Sequence, residues 1–192
     1  MISHIFENYF TNVSNADVQA RFAEGLLKNC FYYGPVALEH PDDYDARANL
    51  MWTSSMAING ILSDGAEVAW CVHPMEHELS AFYDITHGEG LAILTPHWME
   101  FALNEATAKK FADYGRNVWN LPMAEDDMET ARKAINCTKE FFKDMGLPST
   151  LREVGIDETY FDVMAEKAAA GCKGSYVELT KEDIVHIYEN AL

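Results

Sequence analysis

Positive charge is scarce in this sequence. Of its 192 residues only 14 are lysine or arginine, against 31 that are aspartate or glutamate, so the formal net charge is −17. A chain this acidic repels phosphate backbones and anionic lipid headgroups. We therefore expect no nucleic acid and no membrane surface among its partners.

Export signals, long apolar runs and paired cysteines are lacking as well. The first residues have no basic segment followed by an apolar run and a cleavage site. The longest uncharged run, residues 48–63, is shorter than the roughly 18–20 residues of a membrane span. The four cysteines are widely scattered, without the close pairs of a zinc knuckle or a redox dithiol. We expect a cytoplasmic protein with reduced cysteines.

The common nucleotide-binding and serine-hydrolase patterns are also absent. No G-x-G-x-x-G or P-loop glycine pattern occurs, so the sequence offers no recognisable cradle for the phosphates of a nucleotide. The G-x-S-x-G elbow of serine hydrolases is missing too.

What the sequence does contain is apolar periodicity at helical spacing along nearly its whole length, with little of the alternation that is typical of strands. Apolar residues make up 48% of the chain, enough for one domain with a core. We expect an all-α fold, a bundle of about seven to nine helices.

Four local expectations concern the helices. Gly34-Pro35 should stop the second helix. A third helix, from about Tyr44 to Leu62, is apolar around most of its circumference, which is typical of a helix in the middle of a bundle. Pro74 lacks a backbone N–H, so the next helix either starts near His73 or is kinked there. Residues 180–183 resemble a capping box for a last helix.

The segment from Trp70 to Pro96 holds three of the seven histidines. His73 and His77 are four residues apart, so they should project from one face of a helix. His87 follows at a His-Gly step, and His4 lies on the amphipathic first helix. Neutral imidazole binds Fe, Zn, Ni and Cu.

These four histidines are therefore candidate metal ligands, and the alternative is four separate, hydrogen-bonded histidines. The remaining three histidines are interpreted as structural or solvated. His40 lies in a polar turn, His97 beside a proline and His186 in a charged terminal helix.

Four segments carry a resemblance to a known family. They are HIFENYF (4–10), RANLMWTSSMAINGIL (47–62), HPMEHELSAFYDITHGEGLAILTP (73–96) and GLPSTLREVGI (146–156). The sequence resembles the iron-containing, group III alcohol dehydrogenases, specifically the butanol dehydrogenase-like branch. The resemblance covers essentially the whole chain but only the C-terminal helical half of the family, whose fold is shared with dehydroquinate synthase-like proteins.

This resemblance implies a divalent metal, iron by family with zinc or nickel as alternatives, held by one aspartate and three histidines. The histidines match His4, His73 and His87. His77 matches a family histidine near the metal and the nicotinamide, and a catalytic role in proton transfer or positioning is implied for it. The family's aspartate would fall one position ahead of Met1.

The α/β domain that binds NAD(P) in the family would also lie upstream. We therefore expect residues 1–192 to form a single helical metal-binding domain, a fragment without the nucleotide-binding domain. Metal occupancy should be weak or partial, and NAD(P) should not bind this chain well.

For the intact enzyme, the resemblance implies interconversion of small aldehydes and alcohols. We expect this half alone to have little or no activity. Whether the chain is an enzyme by itself is left open. One alternative is a helical interaction or oligomerisation module with a vestigial metal site, in which the face toward the missing domain pairs with a second copy or another chain. Another is a metal-dependent hydrolase that reuses the histidines with a bound water.

Overall fold

The computed structural model describes residues 1–66, 68–123 and 126–192. Within these ranges there are nine α-helices, two short 3-10 helices and no strand, so the expected all-α fold is confirmed. The α-helices are α1 (Ile2–Tyr9), α2 (Asp17–Glu39), α3 (Tyr44–Ile58), α4 (Val72–Tyr83), α5 (His87–Ala102), α6 (Ala108–Val118), α7 (Asp127–Asp144), α8 (Phe161–Ala169) and α9 (Lys181–Asn190). No helix of the described part is both long enough and apolar enough to cross a membrane.

The short first helix, α1, is held by packing. Eight residues are too few for a stable isolated helix. However, Ile5, Phe6, Tyr9 and Phe10 are only 0 to 2% exposed, and α1 lies against α2, α3 and α5. Burying an aromatic side chain of this size stabilises a fold by about 1.5–3 kcal/mol. This burial fixes the position of α1 and therefore of His4, which it carries.

The expectation that the third helix occupies the middle of the bundle is wrong, because the helix with the most buried residues in the described part of the chain is α5. Ten residues of α5 are buried, among them Leu91, Ile93 and Leu94. In contrast, α3 buries three residues and leaves Met51 and Trp52 73% and 68% exposed. An apolar circumference does not distinguish a core helix from one that presents an apolar face to the outside.

The prediction that Gly34-Pro35 stops the second helix is also wrong, because α2 continues through Pro35 to Glu39. Proline lacks only its own N–H, and the residues after it can still donate. The backbone N–H of His40 donates to the carbonyl of Val36 at 2.8 Å, so the helical pattern resumes within one turn.

The fourth helix, α4, begins at Val72, which places Pro74 in its first turn. The N–H groups of a first turn have no partner within the helix, so proline is tolerated there. Of the two alternatives predicted for this segment, the start near His73 is the one observed. The turn that follows α8 packs closely here, because a Cβ on Gly171 would lie 2.9 Å from the ring of Pro74.

A short reversal joins α4 to α5. Its first residue, Asp84, has a φ of 54°, the left-handed conformation that often ends a helix. The chain then turns back, and α5 packs along α4 from its first residue, His87. The start of α5 is thereby placed beside the histidines of α4.

At the other end of the chain, the predicted capping box is confirmed. The Thr180 and Asp183 side chains each bond the backbone N–H of the other residue at the start of α9.

Candidate metal centre

Four histidine rings converge where α1, α4 and α5 begin. His4 lies in the first turn of α1, His73 in the first turn of α4 with His77 one turn later, and His87 is the first residue of α5. The ring centroids of His4 and His73 are 4.4 Å apart, and His87 lies 5.4 Å from His73 and 5.5 Å from His77. His73 and His77 are 6.0 Å apart, which confirms that they share a helix face.

The other three histidines lie apart from this cluster. His40 is exposed at the end of α2. His97 lies 3.9 Å from Glu100 on α5, and His186 bonds Asn190 at 3.0 Å on α9. Burial, then the nearby Lys139 charge, lowers the pKa of His97.

On the inner side of the cluster, the Glu7 carboxylate holds His73. It accepts the backbone N–H groups of Cys71 at 2.7 Å and His73 at 2.8 Å, and it lies 2.9 Å from Nδ1 of the His73 ring. Glu7 is 6% exposed and His73 3%. A carboxylate oxygen accepts hydrogen bonds, so this contact favours the tautomer of His73 that carries its proton on Nδ1. Nε2 is left as a lone-pair donor, and it is buried without a hydrogen-bond partner.

On the outer side, Glu76 holds His87 in a similar way. Glu76 is completely buried; its Oε1 accepts from the Ser80 hydroxyl at 2.5 Å, and its Oε2 contacts Nδ1 of His87. The His87 side chain is 46% exposed. The contact with Glu76 thus fixes the ring through Nδ1, the nitrogen that faces the protein. As in His73, the carboxylate does not occupy Nε2.

The environment of His4 favours a neutral ring. Its Nδ1 is buried without a hydrogen-bond partner, and the Trp70 ring packs against both His4, at 5.1 Å, and His73, at 4.7 Å. Desolvation, followed by the charges of His73, the amino terminus and His87, lowers the pKa of His4 to about 4. A histidine must be neutral to bind a metal, so His4 needs no deprotonation near pH 7.

Proximity alone selects a somewhat different set. Among the described residues, donor atoms of Glu76, His77 and His87 all lie within 4.8 Å of one another. Both oxygens of Glu76 already have hydrogen-bonding partners, however, whereas His4 and His73 each keep a buried nitrogen without one. Neutral imidazoles with carboxylates behind them are a donor set that fits a divalent transition metal.

The sequence indicated the four histidines as candidate ligands but not the partners of their rings. Glu7 lies three residues after His4, and Glu76 three after His73, so their helix faces were readable from the spacing. The contact of Glu7 with His73 spans 66 residues, and no local pattern shows it. The packing of Trp70 against the two inner rings was likewise not predicted.

Solved dehydrogenase and reductase structures share this helical fold. The aldehyde reductase YqhD from Escherichia coli superposes with a TM-score of 0.90 at 32% identity, over 100% of this chain and 50% of that one. The NADH-dependent butanol dehydrogenase A from Thermotoga maritima gives a TM-score of 0.88 at 33% identity, over 99% of this chain and 50% of that one. The fold is therefore that of the helical half of such enzymes.

The chain belongs to the Fe-containing alcohol dehydrogenase family, whose C-terminal family model matches residues 1–192. It is 52% identical over 194 residues to the NADH-dependent butanol dehydrogenase A of Clostridium acetobutylicum, a match that covers all of this chain and 50% of that protein. The chain spans about half the length of the curated relatives it matches so closely. The resemblance to the C-terminal half of the family is thus confirmed.

Proposed function

We propose that this chain is the metal-binding half of an NAD(P)-dependent alcohol dehydrogenase that interconverts small aldehydes and alcohols. The observation that carries the proposal is the convergence of His4, His73 and His87. His4 and His73 each keep a buried ring nitrogen that has no protein partner. These three residues are the proposed ligands of a divalent metal, iron by family, with zinc or nickel as alternatives.

A divalent metal at these nitrogens would supply Lewis-acid polarisation of a substrate carbonyl. Residues of the chain itself have the other roles. His4 and His73, covered by Trp70, keep water from the inner side of the site. His77 is exposed 5.5 Å from His87, and we propose that its ring holds the proton exchanged with the substrate oxygen.

The cofactor of the whole enzyme is part of the same proposal. The matched butanol dehydrogenases are NADH-dependent, and the matched aldehyde reductase is NADPH-dependent. Because the sequence has no glycine-rich phosphate cradle, we propose that NAD(P) binds poorly to this chain and that its activity alone is small or nil.

The ligand assignment is tested by metal analysis of the purified chain and its His87→Ala variant after loading with Zn²⁺ or Fe²⁺. The variant should retain much less metal, since one of three donors is lost. His186→Ala, which removes an exposed histidine on α9, is the matched control and should bind as the wild type does. Equal metal in wild type and His87→Ala would show that His87 is not a ligand.

The inactivity of the isolated chain has its own assay. Butanal-dependent oxidation of NADH and NADPH should be at or near background with the metal-loaded chain. Turnover at the rate of an intact butanol dehydrogenase would contradict this part of the proposal and leave the ligand assignment standing.

A second candidate function, a helical oligomerisation module, is favoured by exposed apolar side chains on α2 and α3. At least half of each of these side chains is exposed: Val18, Phe22, Tyr32, Leu38, Tyr44, Met51, Trp52 and Ile58. Apolar surface of this kind is typically covered by a partner. We propose a second copy of the chain.

Sedimentation should then show a dimer that dissociates in a Met51→Ser/Trp52→Ser variant. A wild-type chain that stays monomeric at high concentration would exclude self-association.

A further inference from the structure

The histidine cluster is backed by two buried glutamates, one for each side of the site. We infer that Glu7 and Glu76 are positioning residues, which fix the ring proton on Nδ1 of His73 and His87 and so present Nε2 of both rings to the metal. The inference rests on the proposed function, and it assigns roles to two residues outside the ligand set.

Glu7 is built into its position. It accepts two backbone N–H groups, from Cys71 and His73, at the start of α4, so its carboxylate cannot turn away without leaving them unpaired. With those bonds made, Oε1 lies 2.9 Å from Nδ1 of His73. The same side chain therefore caps α4 and orients the first histidine on it.

Glu76 is held just as firmly. The Ser80 hydroxyl donates to its Oε1, and α5 passes over it at Gly90. A Cβ on Gly90 would lie 2.8 Å from Cγ of Glu76 and 2.9 Å from its Oε1. Glycine at this position thus leaves the space in which the buried carboxylate reaches His87.

Charge gives the two glutamates a second effect. Three neutral imidazoles leave the full charge of a divalent cation uncompensated, and burying such a charge costs free energy unless opposite charges lie near it. Two carboxylates hydrogen-bonded to ligand rings supply that compensation and raise the basicity of the free nitrogens. Removal of one such partner typically weakens metal binding by about 10–100-fold.

The first test reads the tautomers directly. In ¹⁵N-labelled, metal-free chain at pH 8, long-range ¹H–¹⁵N correlation spectra should show the proton on Nδ1 of His73 and His87 and none on Nε2. In Glu76→Met, which has similar length but only a weakly accepting thioether in place of the carboxylate, His87 should become a tautomer mixture while His73 is unchanged. A proton on Nε2 of either ring in the wild type, or an unaltered His87 in Glu76→Met, would overturn the inference.

The second test measures Zn²⁺ affinity by competition with a chelator. Glu76→Gln keeps an acceptor for His87 but loses the charge, and it should bind Zn²⁺ about 10–100-fold more weakly at unchanged stability. Glu24→Gln is the matched control, because Glu24 is a buried glutamate bonded to Tyr9 and Asn117 away from the cluster. Its affinity should be that of the wild type.

The two proposals fail in different ways. Equal Zn²⁺ affinity of the wild type and Glu76→Gln would refute the effect of the Glu76 charge, and an unaltered His87 tautomer in Glu76→Met would refute its positioning role. Both results leave the metal site intact. Wild type that binds no metal would refute the proposed ligand set, and the tautomer spectra then decide the roles of Glu7 and Glu76 without metal.

Discussion

The histidine cluster has a closed half, formed by His4, His73, Glu7 and Trp70, and an open half, formed by His77, His87 and Glu76. In both halves a buried carboxylate contacts Nδ1 of a histidine. The rings differ in exposure, because the His73 side chain is 4% exposed and that of His87 is 46%. The closed half thus supports the fold as well as the site, whereas the two histidines of the open half face solvent. Stability measurements should separate the two.

The largest difference is expected between Glu7→Leu and Glu76→Leu. Without Glu7, the N–H groups of Cys71 and His73 remain buried and unpaired, at about 1–3 kcal/mol each. Glu7→Leu should therefore lower the free energy of unfolding by about 3 kcal/mol or more. Glu76 instead bonds the side chains of the half-buried Ser80 and the exposed His87, so Glu76→Leu should cost less, about 1 kcal/mol. Urea unfolding of the two metal-free variants compares their free energies of unfolding. Similar losses of stability would contradict the difference between the closed and the open half.

A smaller effect is expected from Gly90→Ala, which crowds the carboxylate of the open half. The added Cβ would lie 2.8 Å from Glu76, and overpacking of this kind typically costs about 1–3 kcal/mol. Gly88→Ala, on the same helix, meets nothing within 4 Å and is the matched control. It should be neutral or stabilise by up to about 1 kcal/mol, since alanine is the better helix former. Equal thermal stability of the two variants would show that Glu76 has room to move.

Trp70→Leu should have a moderate effect on the closed half. The Trp70 ring packs against His4 and His73, and aromatic contacts of this type contribute about 0.5–1.5 kcal/mol beyond the area they bury. Trp52→Leu, on the exposed face of α3, should change stability by less than about 0.5 kcal/mol. Equal losses of stability for Trp70→Leu and Trp52→Leu in urea unfolding would show that Trp70 does not close the site.

The smallest effect is expected at His77. It is exposed, so His77→Ala should change stability by no more than about 0.5 kcal/mol. Metal content should also be retained, because His77 is not among the proposed ligands. Loss of bound Zn²⁺ in this variant would instead make His77 a ligand, as its proximity to Glu76 and His87 alone suggests.

Much of the local structure was predictable. The four-residue step from His73 to His77 placed both on one helix face, and the pattern at residues 180–183 identified the cap of α9. Predictions that depended on a helix's surroundings were less successful. Pro35 did not stop α2, and the apolar third helix lies at the surface while α5 occupies the interior.

By itself, then, the sequence determined the all-helical class and the shared helix face of His73 and His77, because these follow from periodicity and spacing. The resemblance of its motifs indicated the family and the other histidines of the site. Only the tertiary structure decided which carboxylate faces which ring. Glu7 reaches His73 across 66 residues because α1 is buried against the bundle, and Glu76 reaches His87 because the reversal at Asp84 brings α5 back along α4. Such partners are selected by packing between helices, which the periodicity of one helix does not encode.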